Sequence, residues 1–171
     1  MDAIVNKVAE SGIVTIDLAN YLPDGDNITA FDIKPFLFRE MILKEKDFRE
    51  SMKTHDWEQY KDKHIAIHCS ADAIVPVWAY MLIASYLQPF AASVYFGTVA
   101  EVYNKLTAEN ISAIDITEYT DKRVVLKGCG DKEVPAIAYV LATEKLRPVV
   151  KSLMYGEPCS TVPIYKQPIK R

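Results

Sequence analysis

With 171 residues, half of them hydrophobic and a quarter charged, the chain is long enough for one globular domain with a full core, expected to span residues 1–171. A net charge of −3 and an isoelectric point near 5.6, without a basic patch interleaved with aromatics, exclude nucleic acid as the main partner. The opening MDAIVNKVAESG has neither the basic nor the apolar region of a secretory signal. A cytoplasmic location is therefore expected, with the three cysteines outside any disulfide framework.

In chain order, Ala3–Ala9 reads as a short helix and Ile13–Leu18 as a strand, followed by the turn Pro23-Asp24-Gly25-Asp26. Asp17 and Asp32 read as turn or cap residues before any chemical role. Helical spacing of Phe38 and Ile42, extended by Met41, Phe48 and Met52, predicts a long amphipathic helix within Phe31–Thr54, starting near Asp32 or Pro35. It ends at His55-Asp56-Trp57, with His55 expected to be exposed at the helix end, where a cation is favoured. Further on, Val94–Phe96 is expected as a strand, Thr98–Leu106 as a helix and Ile111–Tyr119 as mostly strand. The helix from Pro135 runs to Leu146 and extends toward Tyr155, Gly156-Glu157-Pro158 forms a turn, and Thr161–Lys166 is a last strand before a basic tail. No charge occurs from Ala73 to Ala100, yet Gln88-Pro89 interrupts the stretch. It reads as a buried helix and strand, not a membrane span.

The chain repeats one phrase. Residues 65–92, IAIHCSADAIVPVWAYMLIASYLQPFAA, align with residues 124–149, VVLKGCGDKEVPAIAYVLATEKLRPV, through Val75-Pro76 and Val134-Pro135, and Cys69 meets Cys129 with a slip of one residue. In both, a β-branched strand ends near a cysteine, a polar loop follows, and a helix opens with proline, with Asp72 and Asp131 upstream as caps. Strands alternating with helices predict an α/β fold with a mostly parallel sheet flanked by helices. Right-handed crossovers then place the strand-to-helix loops along one edge of the sheet, where such folds build their sites.

A third cysteine, Cys159, follows Gly156-Glu157-Pro158. Thiols between a strand end and a helix start are favoured as thiolates, the form that attacks electrophiles and binds metals. Three thiolates fit zinc with one further ligand, or an iron–sulfur cluster with one non-cysteine or open position. The residues able to complete the set are His68, Asp72, Asp131 and Glu157; strand alternation turns His68 away from Cys69. Two other readings stand beside this one: a cysteine-dependent sulfur-transfer or redox protein, and a structural or interaction domain with buried, inert cysteines. Trp78, Tyr80, Tyr86 and Tyr139 read as packing aromatics. No nucleotide-binding or serine-hydrolase motif occurs, and no motif decides whether the chain is an enzyme.

The phrases HCSADAIVPVWAYML, KGCG, VPAIAY and MYGEPCSTVPIYK resemble a bacterial family of domains of unknown function, over essentially the whole chain. Genes of that family often lie beside those of the SUF iron–sulfur cluster assembly system. The resemblance implies a role in making, carrying or inserting iron–sulfur clusters, with the assembly proteins as partners. It carries over no catalytic residue, and homo-oligomerisation stays open.

Overall fold

The β-branched and aromatic runs pair as parallel strands, joined by helices that begin just after proline. The computed structural model describes residues 12–128, 132–157 and 160–168. Its strands are β1 Ile13–Asp17, β2 Ile28–Asp32, β3 His64–His68, β4 Ser93–Phe96, β5 Arg123–Lys127, β6 Ser152–Glu157 and β7 Ser160–Lys166. Its α-helices are α1 Glu45–Thr54, α2 Val77–Leu87, α3 Val99–Ser112 and α4 Ala136–Leu146. Mostly parallel sheets flanked by helices make this an α/β protein, as expected.

The strands divide between two sheets and not the single sheet expected, so the two repeat strands β3 and β5 end at edges of different sheets, and the chain divides between two compact units. The insert unit is Asp24–Tyr103. The flanking unit joins Met1–Pro23 to Asn104–Arg171, so its first strand precedes the insert and its remaining strands follow it. The insert sheet has the order β2-β3-β4, all parallel. The flanking sheet has the order β1-β5-β6-β7, with only β7 antiparallel.

Each unit has its own core. In the insert unit, α2 buries Ala79, Ile83 and Leu87 against Ile65 and Ile67 of β3 and Phe31 of β2. Phe31 lies in a stack: Phe36 and Trp57 cover its ring at 5.6 and 5.5 Å, and Tyr86 stacks on Trp57 at 5.1 Å. In the flanking unit, α4 buries Ala138, Ala142 and Leu146 against Val124, Leu126 and Leu153. Each fully buried large side chain of this kind contributes roughly 1.5–3 kcal/mol.

The two units follow one plan at a constant offset. Register pairs Asp32 with His68 in the insert sheet and Asp17 with Lys127 in the flanking sheet; at the other end His64 pairs with Ser93 and Arg123 with Ser152. Asp62 and Asp121 both take left-handed φ, 59° and 60°. The Asp62 N–H donates to Phe90 and the Asp121 N–H to Val149; Ala92 and Lys151 return bonds to Lys63 and Lys122. The repeat therefore extends upstream to Tyr60 and Tyr119. Its register makes Cys69 the counterpart of Gly128 and Ser70 that of Cys129, which explains the slip of one residue.

Several expected elements differ. The long helix within 31–54 is confined to Glu45–Thr54. Phe31 belongs to β2, Lys34–Phe36 form a 3₁₀ turn, and Arg39 and Glu40 take positive φ. Phe38 and Ile42 bridge each other and are exposed, so their helical spacing was coincidental. His55 is half-buried, its ring 4.8 Å from that of Trp57 and edge-on to Phe31. Residues 111–119 form no strand: α3 continues to Ser112, and Ile111 and Ile114 enter the core three residues apart. The segment from Ser152 to Glu157 is β6, not a helical extension, because Leu153 pairs beside Val124 and is fully buried. Gly156 and Glu157 lie within that strand and pair with β7. Pro76 and Pro135 are the N-cap residues of α2 and α4, and among the described residues neither helix has a side-chain cap. The helix expected at Ala3–Ala9 and the tail from Ile169 lie outside the described residues. Among the described residues, no helix is long and apolar enough to cross a membrane.

Phe31 is the central ring of the insert core. Phe31→Ala should lower unfolding stability by about 3–5 kcal/mol, read as a fall in urea midpoint. A loss below about 1 kcal/mol would show that the aromatic stack does not hold this core together.

Candidate functional site

The C-terminal ends of β2, β3 and β4 form the edge where Cys69 lies. β3 ends at His68 because the chain next turns under a clamp from β2. The Asp32 carboxylate accepts hydrogen bonds from the N–H groups of Lys34 and Ser70, at 3.0 and 2.9 Å, and from the Ser70 hydroxyl at 2.5 Å. The Ile33 N–H donates to the His68 carbonyl at 2.9 Å. One carboxylate thus caps the turn after β2 and holds the cysteine loop after β3. Burial acts to raise the Asp32 pKa, but the Ser70 hydroxyl, the two N–H groups and the nearby His68 together hold it below its ordinary value of 3.8.

Cys69 is half-buried and packs one side against the insert core. Its Sγ donates to the Ala71 carbonyl at 3.6 Å. The first residue of α2 is Val77, so Cys69 is not at a helix N-terminus, and the expected activation by the helix dipole does not arise for it. His68 is on the Asp32 row of the sheet, whereas Cys69 packs on the opposite, core side, as strand alternation requires. Asp72 is exposed and does not cap α2.

An aromatic pair borders the edge. Tyr80 meets Phe96 edge-on at 5.2 Å, and Phe96 is 78% exposed. Burial, and secondarily the charge of Cys69, raise the Tyr80 pKa. Beyond Phe96, Gly97 takes φ 130°, and Thr98 and Glu101 form a reciprocal cap on α3, with the Thr98 N–H donating to the Glu101 carboxylate at 2.7 Å.

The flanking unit repeats this edge with other residues. Asp17 caps its turn, accepting from the Ala19 N–H at 3.0 Å. Tyr139 meets Tyr155 edge-on at 5.5 Å. Gly128 lies under the Tyr139 hydroxyl, where any Cβ would collide with it. Glu157 forms an ion pair with Lys127 at 3.4 Å. Cys129, Asp131 and Cys159 lie outside the described residues. Of the expected ligands, the described edge of the insert unit holds Cys69, His68 and Asp72, and that of the flanking unit Glu157. Among the described residues, no group of three or more His, Cys, Asp or Glu is arranged to hold a metal ion.

Sequence reasoning missed the Asp32 clamp, whose partner Ser70 is 38 residues away, and the Tyr80–Phe96 pair. A signal for the pair existed: Phe96-Gly97 and Tyr155-Gly156 repeat at the same offset as Tyr80 and Tyr139.

Asp32→Ala should cost about 1–2 kcal/mol of stability at pH 7, since it leaves two N–H groups without their acceptor. Because the folded pKa of Asp32 is depressed, its contribution is present above about pH 4 and is lost as pH falls through the lower folded value. The stability gap between the native chain and the variant should therefore close at acid pH. A gap constant from pH 7 to pH 2 would assign the cost to packing instead.

No curated protein and no solved structure matches the chain. A family model described as a protein of unknown function, DUF2480, matches residues 2–167. Matched over nearly its whole length, the chain belongs to the DUF2480 family.

Proposed function

We propose that the protein is an accessory of iron–sulfur cluster metabolism in which Cys69, Cys129 and Cys159 hold a metal ion or cluster, with an oxygen or nitrogen ligand completing the set. The observation that carries this reading is the position of Cys69. It lies half-exposed at the C-terminal edge of a parallel sheet, the edge where open α/β folds bind ligands, in a loop pinned by Asp32. No helix N-terminus backs the thiol, which disfavours a pre-activated nucleophile. A metal needs no such help, because it displaces the thiol proton itself.

Soft thiolate donors suit zinc or an iron–sulfur cluster. Among the described candidates for the remaining ligand, Asp72 fits best: its carboxylate is exposed, three residues from Cys69, and takes no cap. His68 faces the Asp32 side, and Glu157 is paired with Lys127. Iron–sulfur assembly proteins would be the partners in this reading, supported by the gene neighbourhood that the family resemblance implies.

The test is anaerobic reconstitution of the full chain, followed by assay of iron, sulfide and zinc per chain. The native chain should retain metal after desalting. The Cys69→Ser/Cys129→Ser/Cys159→Ser variant should keep less than a tenth of it, and Asp72→Ala should lose it several-fold faster to a chelator. Equal retention by the native chain and the triple variant would end this reading.

A further inference from the structure

The opposite edge of the flanking sheet carries an unassigned cavity of about 760 Å³, within the usual range for small-molecule sites. Ile13, Arg123, Ser152 and Lys166 form one row across β1, β5, β6 and β7 at its floor. Three cations, Arg123, Lys151 and Lys166, line it against one carboxylate, Asp121. Among the described residues, none of the three cations is ion-paired, although the whole chain is acidic. Met154 and Tyr165 supply apolar wall.

The insert unit serves as an internal control. At the equivalent row, His64 Nδ1 and the Ser93 hydroxyl hydrogen-bond each other at 2.6 Å, Ala92 stands where the flanking unit has Lys151, and among the described residues the sheet has three strands. The flanking unit replaces His64 with Arg123, leaves the Ser152 hydroxyl without a hydrogen bond among the described residues, and adds Lys151 and the β7 residue Lys166. The shared plan of the units does not require these groups.

We propose that this cavity binds a phosphate monoester with an apolar or ring-bearing body. Three cations less one carboxylate leave an excess of two positive charges, which matches a monoester carrying about −1.5 to −2 at pH 7. A guanidinium fork beside two ammonium groups and a hydroxyl suits the phosphate oxygens, and Met154 and Tyr165 suit the organic part.

Phenyl phosphate, glucose 6-phosphate, adenosine 5′-monophosphate and inorganic phosphate are titrated calorimetrically into the native chain and into Arg123→Gln/Lys151→Gln, with thermal unfolding as the folding control. At least one ester should bind tenfold or more tightly than inorganic phosphate and lose tenfold or more in the variant, while the melting temperature stays within a few degrees. The serine variant of the three cysteines should bind the ester unchanged, so this site and the metal reading fail separately. Equal affinity of the native chain and the double variant for every ester, or no binding of any ester, overturns the proposal. Inorganic phosphate binding as tightly as all three esters overturns its organic part.

A second observation stands independently. Ile74, Val77 and Met81, on and just before the outer face of α2, are 92%, 74% and 67% exposed, and Met41 and Ile42 share a groove with Ile74. Tyr80, beside Met81, extends the patch to Phe96. The same positions around α4 hold Glu133, Ala136 and Val140, and Glu144 and Lys145 stand where α2 has Ser85 and Tyr86. The fold thus accepts a charge at the Ile74 position, while the Val140 counterpart of Met81 stays apolar and is 65% exposed.

We infer that this face joins two copies of the chain. The six exposed side chains, Met41, Ile42, Ile74, Val77, Met81 and Phe96, offer on the order of 500 Å² of apolar surface. That is close to the apolar share, about 65%, of the roughly 800 Å² each partner contributes to a standard homodimer interface. No charge occurs from Ala73 to Ala100, so the α2 part of the face brings no like charges together, and Asp72 is the acidic side chain lining the adjoining groove.

Light scattering on a sizing column should give twice 19.3 kDa for the native chain and one copy for Val77→Glu/Met81→Lys. The matched change on α4, Ala136→Glu/Val140→Lys, should leave the dimer intact. A native chain that is monomeric at about 100 μM, or a dimer that survives the α2 change, overturns the inference. So does a monomer that floats with phosphatidylcholine vesicles, which would assign the face to lipid.

Discussion

A reciprocal pair of backbone hydrogen bonds, made once in each unit, sets the geometry that everything else uses. Asp62 turns the chain at left-handed φ so that its N–H reaches the Phe90 carbonyl, and Ala92 returns a bond to Lys63. Asp121, Val149, Lys151 and Lys122 do the same. Each pair joins the entry of a central strand to the exit of the helix that follows it. The crossover is thereby closed at a set length and the next parallel strand enters in register. Aspartate is among the few residues other than glycine that visit this backbone conformation routinely.

Since two units share that construction, their differences separate what the fold demands from what it permits. Both bury an alanine–alanine–leucine or alanine–isoleucine–leucine stripe of the crossover helix. Both end the central strand beside a tyrosine that meets an aromatic edge-on. The units part at the surface: an apolar outer helix face in the insert unit, and a cation-lined cavity under an added strand in the flanking unit. The loop after the central strand differs as well. Position 69 carries a thiol in one unit, and its counterpart Gly128 lies against the Tyr139 hydroxyl, which any side chain there would displace.

The cysteine loop of the insert unit is held in place from two sides. Cys69 donates to a carbonyl, packs partly on the core, and lies in a loop pinned by a carboxylate from the neighbouring strand. That setting fixes the position of the thiol at the end of the central strand.

What the sequence determined alone was local and periodic. The β-branched runs at Ile65–Ile67 and Val124–Leu126, the proline-led helices and the repeat itself were legible, because strand propensity, helix starts and duplication each leave their mark within a few residues. The tertiary structure alone decided matters that depend on partners far away in the chain. Phe31 is a strand residue because β3 pairs with it. Leu153 begins no helical turn because Val124 lies beside it in the sheet. Asp32 is a clamp because Ser70, 38 residues on, comes back to it. The strands separate into two sheets because each repeat closes its own crossover and buries its own core, a grouping that depends on long-range pairing and not on local pattern.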